Sequence, residues 1–188
     1  MNKRGKLKLF SKRNNFSKTG QVWIETVIYT LIAFVMIGLV LSYAQPKIQQ
    51  LQDQTILQQS TGMLKQIDST IATMGTVGNQ RVIEIGIKQG TLKLECAIDK
   101  IVFQMDSKSE YSEPGKIIND GDVQVFTEKK SGYNTVTLTM DYSENYNLKF
   151  EGRDELKTLS KSSTPYSLSI SNDGQDSDGK IILNMTIT

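Results

Sequence analysis

The feature that most constrains this chain is a run of 23 residues, Val22 to Ala44, reading VWIETVIYTLIAFVMIGLVLSYA with Glu25 as its only charge. As a helix it would be about 34 Å long, enough to cross a bilayer core of about 30 Å. It is apolar on every side, so it reads as a membrane segment and not as the half-buried helix of a globular domain. Seven basic residues and no acid precede it within residues 1–20 (Lys3, Arg4, Lys6, Lys8, Lys12, Arg13, Lys18), and Lys47 alone follows closely. The positive-inside rule therefore puts the N-terminus in the cytoplasm and the C-terminal body outside. Trp23, Tyr29 and Tyr43 lie near the two ends of the run, where amphipathic rings favour the interface.

The helical pattern continues past this segment. Ile48, Leu51, Ile56, Leu57, Met63, Leu64, Ile67, Ile71 and Met74 recur mostly at intervals of three or four, and the opposite face carries Gln49, Gln50, Gln52, Gln54, Gln58 and Gln59. Pro46 cannot donate to the helix ladder, which predicts a kink or short break there and not an end. Gly75 and Gly78 close the pattern. A helix over 22–74 would reach about 80 Å and would need partners along its whole length.

From residue 79 the period becomes alternating. Ile83, Ile85 and Ile87, a Gln89-Gly90 turn, then Leu92, Leu94, Cys96 and Ile98 read as a hairpin. Further strands are predicted at 101–105, 123–127, 133–142, 147–150, 166–171 and 180–187, separated by turn clusters such as Asn119-Asp120-Gly121, Ser131-Gly132 and Asn172-Asp173-Gly174. Residues 151–160 read as a helical turn or a loop. The expected fold class is α+β, in four parts: a basic leader (1–20), a membrane-spanning helix (21–44), its amphipathic continuation (45–78), and an antiparallel, β-sandwich-like head of seven or eight strands (79–188).

Charge and composition narrow the function classes. With a net charge of +2 overall and +7 in the first 20 residues, the remainder carries −5. That is the wrong sign for a nucleic-acid surface. Histidine is absent, and the one cysteine, Cys96, can form neither an intrachain disulfide nor a multi-thiolate metal site. On an alternating apolar face Cys96 reads as a small buried hydrophobe. Gly174 to Ile181 (GQDSDGKI) approaches the P-loop pattern but has Ile181 where a hydroxyl is needed, two acids in the loop, and a strand after it. Asp173, Asp176 and Asp178 miss the EF-hand spacing, so a turn between strands is the better reading. Asn184-Met185-Thr186 has the form of a glycosylation sequon inside a predicted strand, and Asn15-Phe16-Ser17 has it in the leader. No residue set recommends an enzyme, and no cofactor is called for.

Glu25 remains. A carboxylate inside a membrane span is expensive and asks for a role, although its short distance from the interface also allows it to snorkel. The basic leader, Gly20, Gln21, three mostly apolar residues, Glu25 and the long apolar helix together resemble the class III signal of type IV prepilins. Glutamine first and glutamate fifth look most like the archaeal pilins. The resemblance covers roughly residues 12–45, and the head shows no family signature. It implies cleavage between Gly20 and Gln21 by a prepilin peptidase, and anchoring by the helix in the cell membrane with the head outside. It further implies assembly with copies of itself or other pilins into a surface filament. Within the filament Glu25 would meet the free N-terminal ammonium of Gln21 on a neighbouring subunit. Ile24, Val27, Ile28, Leu31, Phe34, Val35 and Leu39 would be among the core contacts. A separate assembly ATPase and a platform protein are implied as partners. Pro46 lies further along than in many bacterial pilins, and the leader is longer, which leaves the subfamily open. Two rival readings use the same segment: a signal peptide cut after Ser42-Tyr43-Ala44, and an uncut single-pass anchor carrying a surface binding head.

Overall fold

The computed structural model describes residues 18–187, with side chains from Val22 onward; the leader up to Ser17, with its Asn15-Phe16-Ser17 triplet, lies outside the described residues. The chain divides into two compact units, residues 1–45 and 46–188. In the first unit the described residues are all helical and belong to α1 (Lys18–Ala72). Of the kink or short break expected at Pro46, no break is present: the helix is continuous, and the proline removes only the N–H that would reach the Ser42 carbonyl.

In the second unit α1 acquires a buried face. Asp53, Leu57, Ser60, Thr61, Leu64, Ile67 and Ile71 are buried, stepping by one, three or four residues along one side. Ile48 and Leu51, predicted to belong to the same stripe, are 53% and 63% exposed. The helix ends at Ala72, where the Met74 N–H turns back to the Ile71 carbonyl and Asn172 holds the exit: its side-chain amide donates to the Gly75 carbonyl, and its own carbonyl accepts the Gly78 N–H.

Ten strands follow among the described residues, where seven or eight were expected. They are β1 (Gln80–Ile85), β2 (Thr91–Glu95), β3 (Lys100–Ser107), β4 (Ile117–Asp120), β5 (Val123–Lys130), β6 (Tyr133–Asp141), β7 (Tyr146–Phe150), β8 (Leu156–Ser160), β9 (Tyr166–Gln175) and β10 (Ile181–Ile187). One sheet has the order β1-β9-β10-β7, with β10 and β7 parallel; the other, β4-β5-β6-β3-β2-β8, is antiparallel throughout. The α+β class with a long N-terminal helix is therefore present, and both sheets are largely antiparallel. Leu57, Leu64, Ile67 and Ile71 of α1 join one hydrophobic cluster with residues of both sheets, including Phe103, Leu138, Leu148, Leu168 and Leu183. Burying a large aliphatic side chain fully is worth roughly 1.5–3 kcal/mol, so these four helical residues anchor the second half of α1 to the strands.

Three expectations are corrected. The predicted hairpin of residues 83–98 does not form: β1 pairs with β9, whereas β2 pairs with β3 and β8, so residues 86–90 carry the chain from one sheet to the other. Gly90 makes this possible at φ +83°, lying so close to β3 that a Cβ would sit 2.6 Å from the Gln104 carbonyl oxygen and 2.7 Å from Met105 Cβ. Residues 156–160 form an edge strand and not a loop or helical turn; only Leu159 of β8 is buried, which leaves little alternation to read. Ile98 is 52% exposed because Cys96–Ile98 form a 3-10 turn that ends at Asp99 in the left-handed region (φ 53°). Asp99 then accepts the Leu148 N–H on its carboxylate at 2.8 Å and the Tyr142 N–H on its carbonyl at 2.9 Å.

Candidate functional site

The first candidate is the surface of residues 22–44. α1 is, among the described residues, a helix long and apolar enough to cross a membrane, and none of its most apolar window is buried. Its side chains are exposed on every side: Ile24, Ile28, Leu31, Phe34, Val35 and Leu39 range from 51% to 74%. The two threonine hydroxyls in this run stay inside the helix, Thr26 donating to the Val22 carbonyl and Thr30 to the Val27 carbonyl, each at 2.9 Å. These two therefore add no unsatisfied donor to an apolar surface. Gly38 has nothing within 4 Å of where a Cβ would stand, so no contact within the chain requires glycine there.

The predicted site residues lie close together on α1. Gly20 and Gln21 are helical, and Glu25 is exposed one turn further on. Trp23, Tyr29 and Tyr43 are 70–75% exposed near the two ends of the run.

The second candidate lies in the head, where polar side chains fasten α1 to the strands. Asp53 is 4% exposed, and its Oδ2 accepts the Lys108 N–H at 2.6 Å and the Ser107 hydroxyl at 3.1 Å. Ser107 Oγ in turn accepts the Ser109 N–H, and Gln54 donates to Ser109 Oγ, both at 2.9 Å. Further along the helix Lys65 pairs with Asp120 at 2.7 Å, and Tyr142 donates to Asp68 at 3.3 Å. Burial, and then the charge of Asp122, pushes the Asp68 carboxyl above its ordinary value, partly offset by the Tyr142 hydroxyl. Sequence reading passed over Asp53 because it sits among glutamines. The available signal was its place four residues before Leu57, on the buried face.

The sequence look-alikes take structural roles. In the stretch resembling a P-loop, the turn between β9 and β10 is organised by Asp176, whose Oδ1 accepts the Asp178 and Lys180 N–H groups and whose Oδ2 accepts from Asn147. The Asn147 bond first, then the backbone donors, hold its carboxyl below the usual range. β9 runs through the predicted Asn172-Asp173-Gly174 turn and ends only at Gln175. Asn184 is committed at both ends of its amide, donating to Asp173 Oδ2 at 3.0 Å and accepting the Gly152 N–H at 2.9 Å. Cys96 is buried, and burial, followed by the charges of Asp154 and Asp99, pushes its thiol up to about 11. At neutral pH it is a thiol and a poor nucleophile. Among the described residues no group of three or more Cys, Asp and Glu side chains stands close enough to hold a metal ion.

Comparison with protein-family models, with curated proteins and with solved structures finds no match to this chain.

Proposed function

We propose that the chain is a structural subunit of a type IV pilus-like surface filament, of archaeal type, cut by a prepilin peptidase between Gly20 and Gln21. The observation that carries this reading is one continuous helix with two unlike halves. Residues 22–44 are apolar and exposed all round, and residues 53–71 are built into the core of a β-rich head. A helix with this surface is stable only in lipid or against other apolar helices. Glu25 is the only charge in the run, and the resemblance gives it a partner cation on a neighbouring subunit. Gly38 fits the same reading: glycine costs a helix interior about 1 kcal/mol relative to alanine, and small residues let helices of different chains approach. The head, sandwich-like and outside the membrane, would stand at the filament surface. Gln21 would supply the ammonium that meets Glu25 of a neighbouring subunit, and a separate ATPase and platform protein would drive assembly.

The test is the N-terminus of the mature protein, read by peptide mass spectrometry on native membranes and shed surface material. A start at Gln21 supports prepilin processing, and replacing Gly20 by a bulky residue should then leave the leader attached. A start at Gln45 would mean a secreted head, and an intact leader would mean a single-pass anchor with a surface binding domain; either would end the filament reading.

A further inference from the structure

We infer that the head carries a binding site for an acidic saccharide, a sugar chain bearing carboxylates, at the tip of the β5–β6 hairpin. This inference does not rest on the filament reading. Two clefts of about 390 and 560 Å³ meet there, and Lys130 and Tyr133 line both. Each lies within the range of roughly 300–1,000 Å³ typical of small-molecule sites. Lys130 and Tyr133 are the register pair that closes the hairpin, with Gly132 at φ +85° making the turn. Tyr133 thus projects from the first position of a strand beside a two-residue turn and not from a long loop.

The two clefts differ in chemistry. The smaller is lined by Lys108, Lys129 and Lys130 against one acid, Glu110. Lys129 pairs with Glu110 at 2.8 Å, Lys130 with Glu128 at 3.4 Å, and Lys108 donates to the Gly132 carbonyl at 2.8 Å. Each ammonium has three donors, so these bonds position the cations and leave donors for a ligand. Residues 21–188 carry −5 overall, so this is a local positive site on an acidic body, and an anion is drawn here in preference to the rest of the surface.

The larger cleft is neutral and rich in hydrogen-bonding groups: Gln89, Thr91, Gln104, Asp106 and Thr135. Thr91 pairs with Gln104 across β2 and β3, and Asp106 with Thr135 across β3 and β6, which fixes their spacing. Asp106 accepts from Thr135 on Oδ1 at 2.8 Å, and Gln104 accepts from Lys93 at 3.2 Å, so each keeps a second polar atom for a ligand. Between the clefts stands Tyr133, 38% exposed, whose hydroxyl makes no hydrogen bond among the described residues.

A sugar ring has an apolar C–H face that suits the tyrosine ring, and hydroxyls that suit amides, threonines and a carboxylate. A carboxylate on the adjoining unit suits the lysines. Asp106 would repel any anionic group in the larger cleft, phosphate or carboxylate, so that cleft suits the hydroxyl edge of a sugar, from which Asp106 can accept, and the ligand's charge belongs beside the lysines.

The test is calorimetric titration of the full chain in detergent with three probes: an oligogalacturonate, a hyaluronan tetrasaccharide and sialyllactose. Maltotetraose serves as the neutral control and a short duplex DNA as the polyanion control. At least one acidic probe should bind at least about tenfold more tightly than maltotetraose and DNA. Tyr133→Ala and Lys130→Gln should each weaken that binding at least about tenfold with unchanged thermal melting. Lys130→Gln guards against a misfolded tyrosine variant, since it alters only the end of a surface side chain. Absence of binding by all three probes up to about 10 mM would overturn the inference, as would equal affinity for maltotetraose, tighter binding of DNA, or full affinity in both variants.

Discussion

Asp53→Ala should loosen the attachment of α1 to the head. The wild-type carboxylate is 4% exposed and meets two donors, the Lys108 N–H at 2.6 Å and the Ser107 hydroxyl at 3.1 Å. Hydrogen bonds to a charged group contribute about 1.5–3 kcal/mol each, and a donor left unsatisfied costs about 1–3 kcal/mol. Removing the carboxylate also relieves its own desolvation, which offsets part of that loss, so the expected net cost is about 2 kcal/mol. For a unit of this size that lowers Tm by about 4–8 °C. Asp53→Asn keeps the shape and one oxygen able to accept both bonds, and should cost about half as much. Urea unfolding followed by tyrosine near-ultraviolet dichroism reads the head, because the one tryptophan, Trp23, lies in the first unit. Equal m-values would show that the change is in stability and not in the extent of unfolding. A shift of less than about 0.5 kcal/mol for Asp53→Ala would refute the reasoning, since the bonds would then only balance the burial of the charge.

Glu25→Ala should leave leader removal largely intact while reducing filament yield in native cells, and wild-type yield would remove the pairing role given to Glu25. Gly90→Ala forces a Cβ to within 2.6 Å of the Gln104 carbonyl at φ +83°, so a loss of at least about 2 kcal/mol is expected in the same urea assay. Asp141 is held down to about 2, first by the Ser143 hydroxyl and then by Lys100. Since its folded value lies below its unfolded one, its contribution is complete above about pH 4 and is lost as pH falls toward 2; Asp141→Asn should flatten that acid limb in pH-dependent melting.

The parts of this fold that were legible in the sequence are those whose burial repeats. Leu57, Leu64, Ile67 and Ile71 announce a buried helix face by spacing alone, and β3, with Ile101, Phe103 and Met105 buried, announces a strand. β4 was not legible because all four of its residues are exposed, so it has no apolar face to alternate. The false hairpin of residues 83–98 has a different cause. Alternation reports which residues share a face, not which strand lies alongside, and Gln89-Gly90 sits where a turn would. The positive φ at Gly90 serves close packing on β3 instead. The lysine-lined cleft escaped notice because Lys108 follows β3 whereas Lys129 and Lys130 close β5, and only the register of β3 against β6 and of β6 against β5 brings them to one place.

The two halves of α1 differ in where their free energy comes from. Core contributions begin at Asp53 and Leu57, while Ile48 and Leu51, just beyond Pro46, are still exposed. Ile48 and Leu51 are thus two apolar side chains of the second unit that the head leaves uncovered. In the proposed filament, helices of neighbouring subunits would cover them. Gly62 lies further along the same helix, exposed, with nothing near the place of a Cβ, so it too meets no contact within the chain that calls for glycine. The exposed Ile48 and Leu51 are side chains that the proposed assembly would use and that simple anchoring would not need.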